Sequence, residues 1–364
     1  MNAPVLVLAP TLDGNAVGRA LLLWDLISPY RDVYLVGPRA ARKWAPLESR
    51  GDVPVIELPG DPYTAGRRLR HRFPMATVIA SKPLFMSYGT ALAAGLGPVV
   101  LDIDDPELEL ATSDVRTVVS AFCGMQNPLL TAGCLAMRNR AAGITVASAA
   151  LQRRYGGSEI PHARDETRIN ETRRHRARAR SALGLSASER IVAFVGTVRR
   201  HKGVDLLKVA MAQIAAARLA LIGTRDPDPI PGEINTGPVP YDVAIDWVSA
   251  ADIIVVPQRR DAISNYQSPA KLVDALAVGR AIVATRVDPV EEMVGDAGLL
   301  VPPDSARDLR AAIDRILGDD PLRESFEAAA RERFLARYSF SVVRPRLLDV
   351  LDHVESSWSS SRRA

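Results

Sequence analysis

The sequence predicts an α/β protein made of two doubly wound parallel-sheet domains in tandem. Three observations carry that expectation. Short apolar, β-branched runs alternate with longer helix-periodic stretches along nearly all of the 364 residues. Several of these runs, such as Val5-Leu6-Val7-Leu8, are continuously apolar rather than alternating. Strands covered by helices on both faces read that way. Finally, the alternation falls into two series of roughly 150 residues, the size of one such domain, separated by a charged stretch at 161–180.

Strands are expected in the first series at 5–9, 33–37, 55–58, 77–80, 99–102 and 144–147, and in the second at 191–196, 219–223, 253–257, 281–285 and 299–301. The domains then span 1–160 and 161–339, and a last helix at 340–364 is expected to pack back on the first. The stretch at 161–180, which contains HARDETRINETRRHRARAR, reads as a solvated linker and the exposed start of a helix. Its sharper reading is a basic patch for an anionic partner. It interleaves no aromatic residues for base stacking, so nucleic acid is not expected as a partner. The segment AGRRLRHRF at 65–73 is a candidate basic helix face for peripheral contact with a membrane or a charged acceptor.

Hydrophobic residues make up 47% of the chain and charged ones 24%, which excludes a mostly disordered chain. Cys123 and Cys134 form no CxxC pair and read as buried, reduced thiols. There is no basic n-region before the first strand and no run of 18 or so apolar residues, so a soluble cytoplasmic protein is expected. The formal net charge is +4, and only five of the 46 basic residues are lysines. Three of these, Lys82, Lys202 and Lys271, fall in the segments where chemistry concentrates.

The first such segment is IVAFVGTVRRHKGVDLLKVA at 191–210. A strand ends at Gly196, a polar loop carries Thr197, Arg199 and Lys202, and a helix begins after Gly203. Ligands of open α/β sheets bind beyond the carboxyl ends of strands. A glycine for close approach, a forked guanidinium, a compact ammonium and a helix N-terminus suit a polyphosphate. An ordinary turn with solvated charges has the same spacing. The second segment is SPAKLVDALAVGRAIVAT at 268–285. Pro269 opens a helix, Lys271 and Asp274 share one face, and Gly279 closes it. Asp274 reads either as a ribose ligand or as half of a local Lys–Asp pair.

In this order, FVGTVRRHKGVDLL and SPAKLVDALAVGRAIVAT, followed by VEEMVGDAGLLVPPD, resemble the two nucleotide-sugar motifs of the family GT4 glycosyltransferases (glycosyl transferases group 1), which have the GT-B fold. Gly237-Pro238-Val239-Pro240 with Ala251-Asp252-Ile253, Tyr338-Ser339-Phe340, and IPHARD at 160–165 are similar to further elements of that family. The likeness covers the C-terminal half; the N-terminal half matches in pattern only. It implies a GT-B arrangement, two Rossmann-like domains facing across a cleft. It also implies a retaining transferase that takes a UDP- or GDP-linked sugar as co-substrate and needs no cofactor and no metal. Arg199 and Lys202 would neutralise the leaving diphosphate. Gly196, Thr197, Gln267, Ser268, Ala270 and Lys271 would line the donor, the last two offering backbone N–H groups to the phosphates. Asp274 would take the ribose, and Val239 and Thr224 would lie at the base. The first Glu of the family's E-x7-E motif is missing: Tyr266 stands there, and the nearest upstream carboxylate is Asp261.

In the first domain, Asp13, Gly14 and Asn15 follow the first strand and are candidate acceptor contacts; a simple strand–helix turn is the plain alternative. LDIDDPELEL places Asp102, Asp104 and Asp105 at the end of a buried strand. Asp104 or Asp105 would position or deprotonate an acceptor, or merely dress a helix N-terminus. Lys82 follows the neighbouring strand and is a further acceptor or cleft candidate. The expected function is therefore sugar transfer to an acceptor, a small-molecule or natural-product acceptor being favoured. A non-catalytic nucleotide-sugar binder and a GT-B nucleotide-sugar epimerase are the alternatives.

Overall fold

The computed structural model describes residues 3–113 and 127–361. The chain divides into two compact units, Met1–His162 with Val343–Ala364, and Ala163–Val342.

The first unit holds a parallel sheet of seven strands in the order β3-β2-β1-β4-β5-β6-β7. They are β1 (Val5–Leu8), β2 (Val33–Pro38), β3 (Val55–Leu58), β4 (Thr77–Ser81), β5 (Val99–Ile103), β6 (Gly143–Val146) and β7 (Ser158–Glu159). The register sets Val5 beside both Val33 and Thr77. β1, β4 and β5 are buried along their whole length, which is why they carry apolar runs without alternation. Helix starts are fixed by side-chain caps: Asp61 accepts from Thr64 N before Pro62–Arg72, and Asn127 from Leu129 N before Pro128–Ala136. The final helix, Phe340–Ser361, supplies Val354 to this unit. It packs so closely that a Cβ on Gly143 would fall 2.9 Å from Val354 Cγ1.

The second unit repeats the plan with six parallel strands in the order β10-β9-β8-β11-β12-β13. They are β8 (Ile191–Val195), β9 (Arg218–Ile222), β10 (Ile234–Asn235), β11 (Ile253–Val256), β12 (Ala281–Thr285) and β13 (Gly298–Val301). Two apolar clusters cover its faces, one around Ile254, Leu272, Val273 and Phe334, the other around Phe194, Leu207, Val255 and Ile313. In each unit the strand order reverses beside the first strand, between β1 and β4 and between β8 and β11. Doubly wound sheets bind ligands at this switch point.

All eleven expected strands form. The edge strands β7 and β10, two residues each, were not foreseen. The stretch at 161–180 is only in part the solvated linker and exposed helix start expected. Arg164 N bonds to Tyr338 O, and the helices Glu171–Arg174 and Arg176–Ala182 follow. Arg180 is buried: it donates to Ala250 O at 3.0 Å and to Asp252 Oδ2 at 2.7 Å, and the same oxygen accepts from Ile191 N. Composition hid this because a guanidinium is buried readily once every N–H finds a carbonyl or carboxylate. Cys134 is buried, and burial pushes its thiol up to about 11; Cys123 lies outside the described residues. No helix among the described residues is long and apolar enough to cross a membrane.

Candidate functional site

In the second unit the loop after β8 is built around two glycines with positive φ. Gly196 (φ +116) bonds through its N–H to Ile222 O at 2.7 Å. A Cβ on Gly203 (φ +64) would fall 1.9 Å from the Pro257 carbonyl oxygen, so only glycine lets the loop lie against the end of β11. Between them Thr197 and Arg199 are exposed, and Arg200–Lys202 forms one 3-10 turn that leads into the helix Val204–Met211. His201 inside that turn is buried and its imidazole is pushed down to about 4, by burial and then by Lys202, so it is neutral at pH 7.

Lys202 donates to Gln267 Oε1. Lys271, in the first turn of the helix Ala270–Val278, sets its Nζ 3.7 Å from the centre of the buried Phe194 ring. That ammonium lies 3.6 Å from where a Cβ of Gly196 would stand. No carboxylate among the described residues pairs with it. Burial, then the charge of Lys202, holds Lys271 well below the ordinary lysine range. The fold thus brings Gly196, Lys202, Gln267 and Lys271 together.

Asp274 does not pair with Lys271. It accepts from Arg164 Nε at 2.6 Å and Nη2 at 3.2 Å and from the Tyr241 hydroxyl at 2.8 Å. Arg164 and Tyr241 had no expected role, although Arg164 lies within IPHARD and Tyr241 directly follows GPVP, both segments the sequence had marked. Ala270 gives its carbonyl to Arg164 Nη2 at 3.4 Å. The Ser268 hydroxyl is buried against Met293 Sδ at 3.3 Å. Thr224 is buried, and its carbonyl accepts from Gly237 N at 2.9 Å. Val239 packs on the core beside it. Tyr266 bonds to Ile263 O at 3.1 Å. Asp261 does not replace the missing Glu: its carboxylate accepts from Ile263 N and Ser264 N, closing a turn.

In the first unit, Asp13, Gly14 and Asn15 lie after β1. Asp13 accepts from the Thr11 hydroxyl, and the Gly14 and Asn15 carbonyls start the helix Val17–Ile27. Asp102 is committed to the core: it receives Arg19 Nε at 2.9 Å and Nη2 at 2.8 Å and the Thr145 hydroxyl at 2.8 Å. Asp104 and Asp105 turn the other way. Lys82, buried with φ +72, donates to Asp104 at 2.8 Å, Asp105 at 2.9 Å and Glu107 at 2.6 Å. One ammonium faces three carboxyl groups. Burial, opposed by Lys82 and reinforced by Asp105 and Asp102, raises Asp104 to about 7. A carboxyl group held there can gain or lose a proton near neutral pH.

Residues 189–319 match the family model described as Glycosyl transferases group 1. D-inositol 3-phosphate glycosyltransferase 1 of Catenulispora acidiphila is 32% identical over 202 residues, covering 48% of this chain and 47% of that protein. The phosphatidyl-myo-inositol mannosyltransferase of Mycolicibacterium smegmatis is 29% identical over 189 residues, covering 48% of each. The chain spans about half the length of these curated relatives. Among solved structures, sucrose-phosphate synthase from Thermosynechococcus elongatus aligns with a TM-score of 0.76 at 19% identity, over 98% of this chain and 100% of that one. Anabaena HepE in complex with UDP-glucose aligns with a TM-score of 0.74 at 17% identity, over 97% and 100%. These likenesses establish the GT-B fold expected from the sequence.

Proposed function

We propose, from the match of residues 189–319 to the glycosyl transferases group 1 model, that the chain is a retaining transferase that moves a sugar from a nucleoside diphosphate onto a hydroxyl of a cyclitol or sugar acceptor. The observation that carries the donor half is the juxtaposition of Lys202 and Lys271 beside Gly196, with Lys271 lacking any carboxylate among the described residues. A diphosphate is the counter-ion this pair of lysines fits. As the bond to the anomeric carbon breaks, negative charge grows on the leaving diphosphate, and preorganised cations stabilise that state more than the ground state. Arg199, exposed on the same loop, is free to swing onto the distal phosphate. Asp274, already oriented by Arg164 and Tyr241, retains lone pairs for ribose hydroxyls.

The acceptor half rests on the relatives named for inositol acceptors and on Asp104, whose carboxyl group titrates near 7 beside Lys82. Thermal stabilisation by a panel of UDP, GDP and their sugars tests the donor reading, because a ligand bound only by the native state raises Tm. Stabilisation by none of them, or stabilisation equal in the Arg199→Ala/Lys202→Ala chain, overturns it. Epimerised donor formed without any acceptor would favour an isomerase instead.

A further inference from the structure

Away from β8 and its loop, the second unit contains a cavity of about 620 Å³ lined by four arginines and three glutamates. It lies at the other end of the helix Ala270–Val278, where Gly279 caps the helix in the left-handed region. Arg174 Nε donates to Val278 O at 2.9 Å, and Arg331 Nη1 donates to Ala277 O at 2.5 Å. Neither guanidinium has a carboxylate partner among the described residues. Arg176 and Arg280 share one carboxylate, Glu327, with Arg280 Nη1 3.4 Å from it. Arg280 is 6% exposed, and its Nε–H is buried without a partner. Glu171 and Glu332 stand exposed, and Glu171 partly offsets the charge of Arg174.

Capping explains one N–H from each of Arg174 and Arg331 and leaves the rest of two forks undirected. The end of a helix carries only about half a negative charge, so it does not offset two guanidiniums. The charges work against one another. Burial, then Arg176 and Arg174 against Glu327, lowers Arg280 to about 9; burial, then Arg174, lowers Arg331 to about 10. A protein keeps such an arrangement at a cost in stability unless an anion completes it.

We propose that this cavity binds a phosphate group, with Arg174 and Arg331 forking onto its oxygens. A phosphate dianion matches the planar guanidinium fork. The volume falls in the range of small-molecule sites and exceeds what a bare ion fills. Val278 and Leu335 on the wall suit a phosphate ester with an apolar remainder. The basic stretch at 161–180 is thus explained in part, since it supplies Arg174 and Arg176. The site stands independently of the donor reading.

Calorimetric titration of the full chain carrying Arg199→Ala and Lys202→Ala, which takes two cations from the β8 loop, tests it. The probes are inorganic phosphate, phenyl phosphate and phenol. Saturable one-to-one binding of a phosphate probe, absent for phenol, is the expected result. Adding Arg174→Gln, whose amide nitrogen takes the place of the capping Nε, and Arg331→Gln weakens it by about tenfold or more. Glu327→Gln, which removes the shared carboxylate, tightens it. Equal affinity for the two phosphates identifies the free ion as ligand, and tighter phenyl phosphate identifies an ester. No saturable binding at millimolar probe, or binding unchanged by the two glutamines, overturns the proposal.

Discussion

Arg164 grips Asp274 through two nitrogens, at 2.6 and 3.2 Å, and the Tyr241 hydroxyl closes the same carboxylate at 2.8 Å. Asp274 is 8% exposed, so its charge is stabilised by these donors rather than by water. Removing one partner of such a pair leaves the other buried and alone. Asp274→Ala is expected to destabilise the chain by about 3 kcal/mol, and Tyr241→Phe by about 1 kcal/mol, in urea unfolding. If Asp274 also meets the ribose, Asp274→Asn weakens UDP binding while Tyr241→Phe changes it little.

Lys271 gives a pH dependence of defined sign. Its folded value is depressed by burial and by Lys202, so between that value and 10.5 the unfolded chain binds the extra proton. Stability therefore rises with pH across that window. Lys271→Met should raise stability at pH 7 by about 1 kcal/mol, and the gain should vanish above pH 10.5. A diphosphate favours the charged ammonium, so UDP binding should raise the proton affinity of Lys271, with proton uptake at pH values above its folded value. Calorimetry in buffers of different ionisation enthalpy measures that uptake, and its disappearance in Lys271→Met assigns it.

The strands were legible because burial on both faces leaves an apolar run that survives without any partner in view, as in Ile253–Val256. The glycine loop was legible because Gly196 and Gly203 answer local backbone geometry. The partners of Asp274 were not. Arg164 lies 110 positions away and Tyr241 lies 33 away, and although IPHARD and GPVP were marked, nothing local tied either residue to Asp274. The same holds for Lys82: its position after β4 was readable, but its three carboxylate partners depend on β4 and β5 being adjacent in the sheet. Arg180 shows the opposite error, a run of charge read as solvated that holds Asp252 in the core.

Gly203 predicts a steric result. Its φ of +64 disfavours any L side chain, and an added Cβ would stand 1.9 Å from Pro257 O. The obstacle is backbone, so the loop itself must move. Gly203→Ala is expected to lose about 2–3 kcal/mol and, by displacing Lys202, about tenfold in UDP affinity. Gly184, also at positive φ (+69) but with open space around its Cβ, is the control: Gly184→Ala should cost stability without touching UDP binding.

Asp104 makes the last prediction. Its carboxyl group is raised from 3.8 to about 7 because burial and the carboxylates of Asp105 and Asp102 outweigh Lys82 and Arg19. The folded chain then holds a proton that the unfolded chain releases between pH 4 and 7. Its contribution to stability is complete below pH 4 and is lost as pH rises through 7. Asp104→Asn should flatten the stability profile in that window and leave its slope unchanged outside it, so that the variant gains over the parent chain as pH rises through 7. If Asp104 must be ionised to draw the acceptor hydroxyl toward the sugar, kcat/KM rises through pH 7 and levels off, and Asp104→Asn removes the rising limb. Glu107→Gln takes one carboxylate from Lys82 without touching that proton. It should leave the limb in place, and a limb that moved equally in both variants would assign the cluster to structure alone.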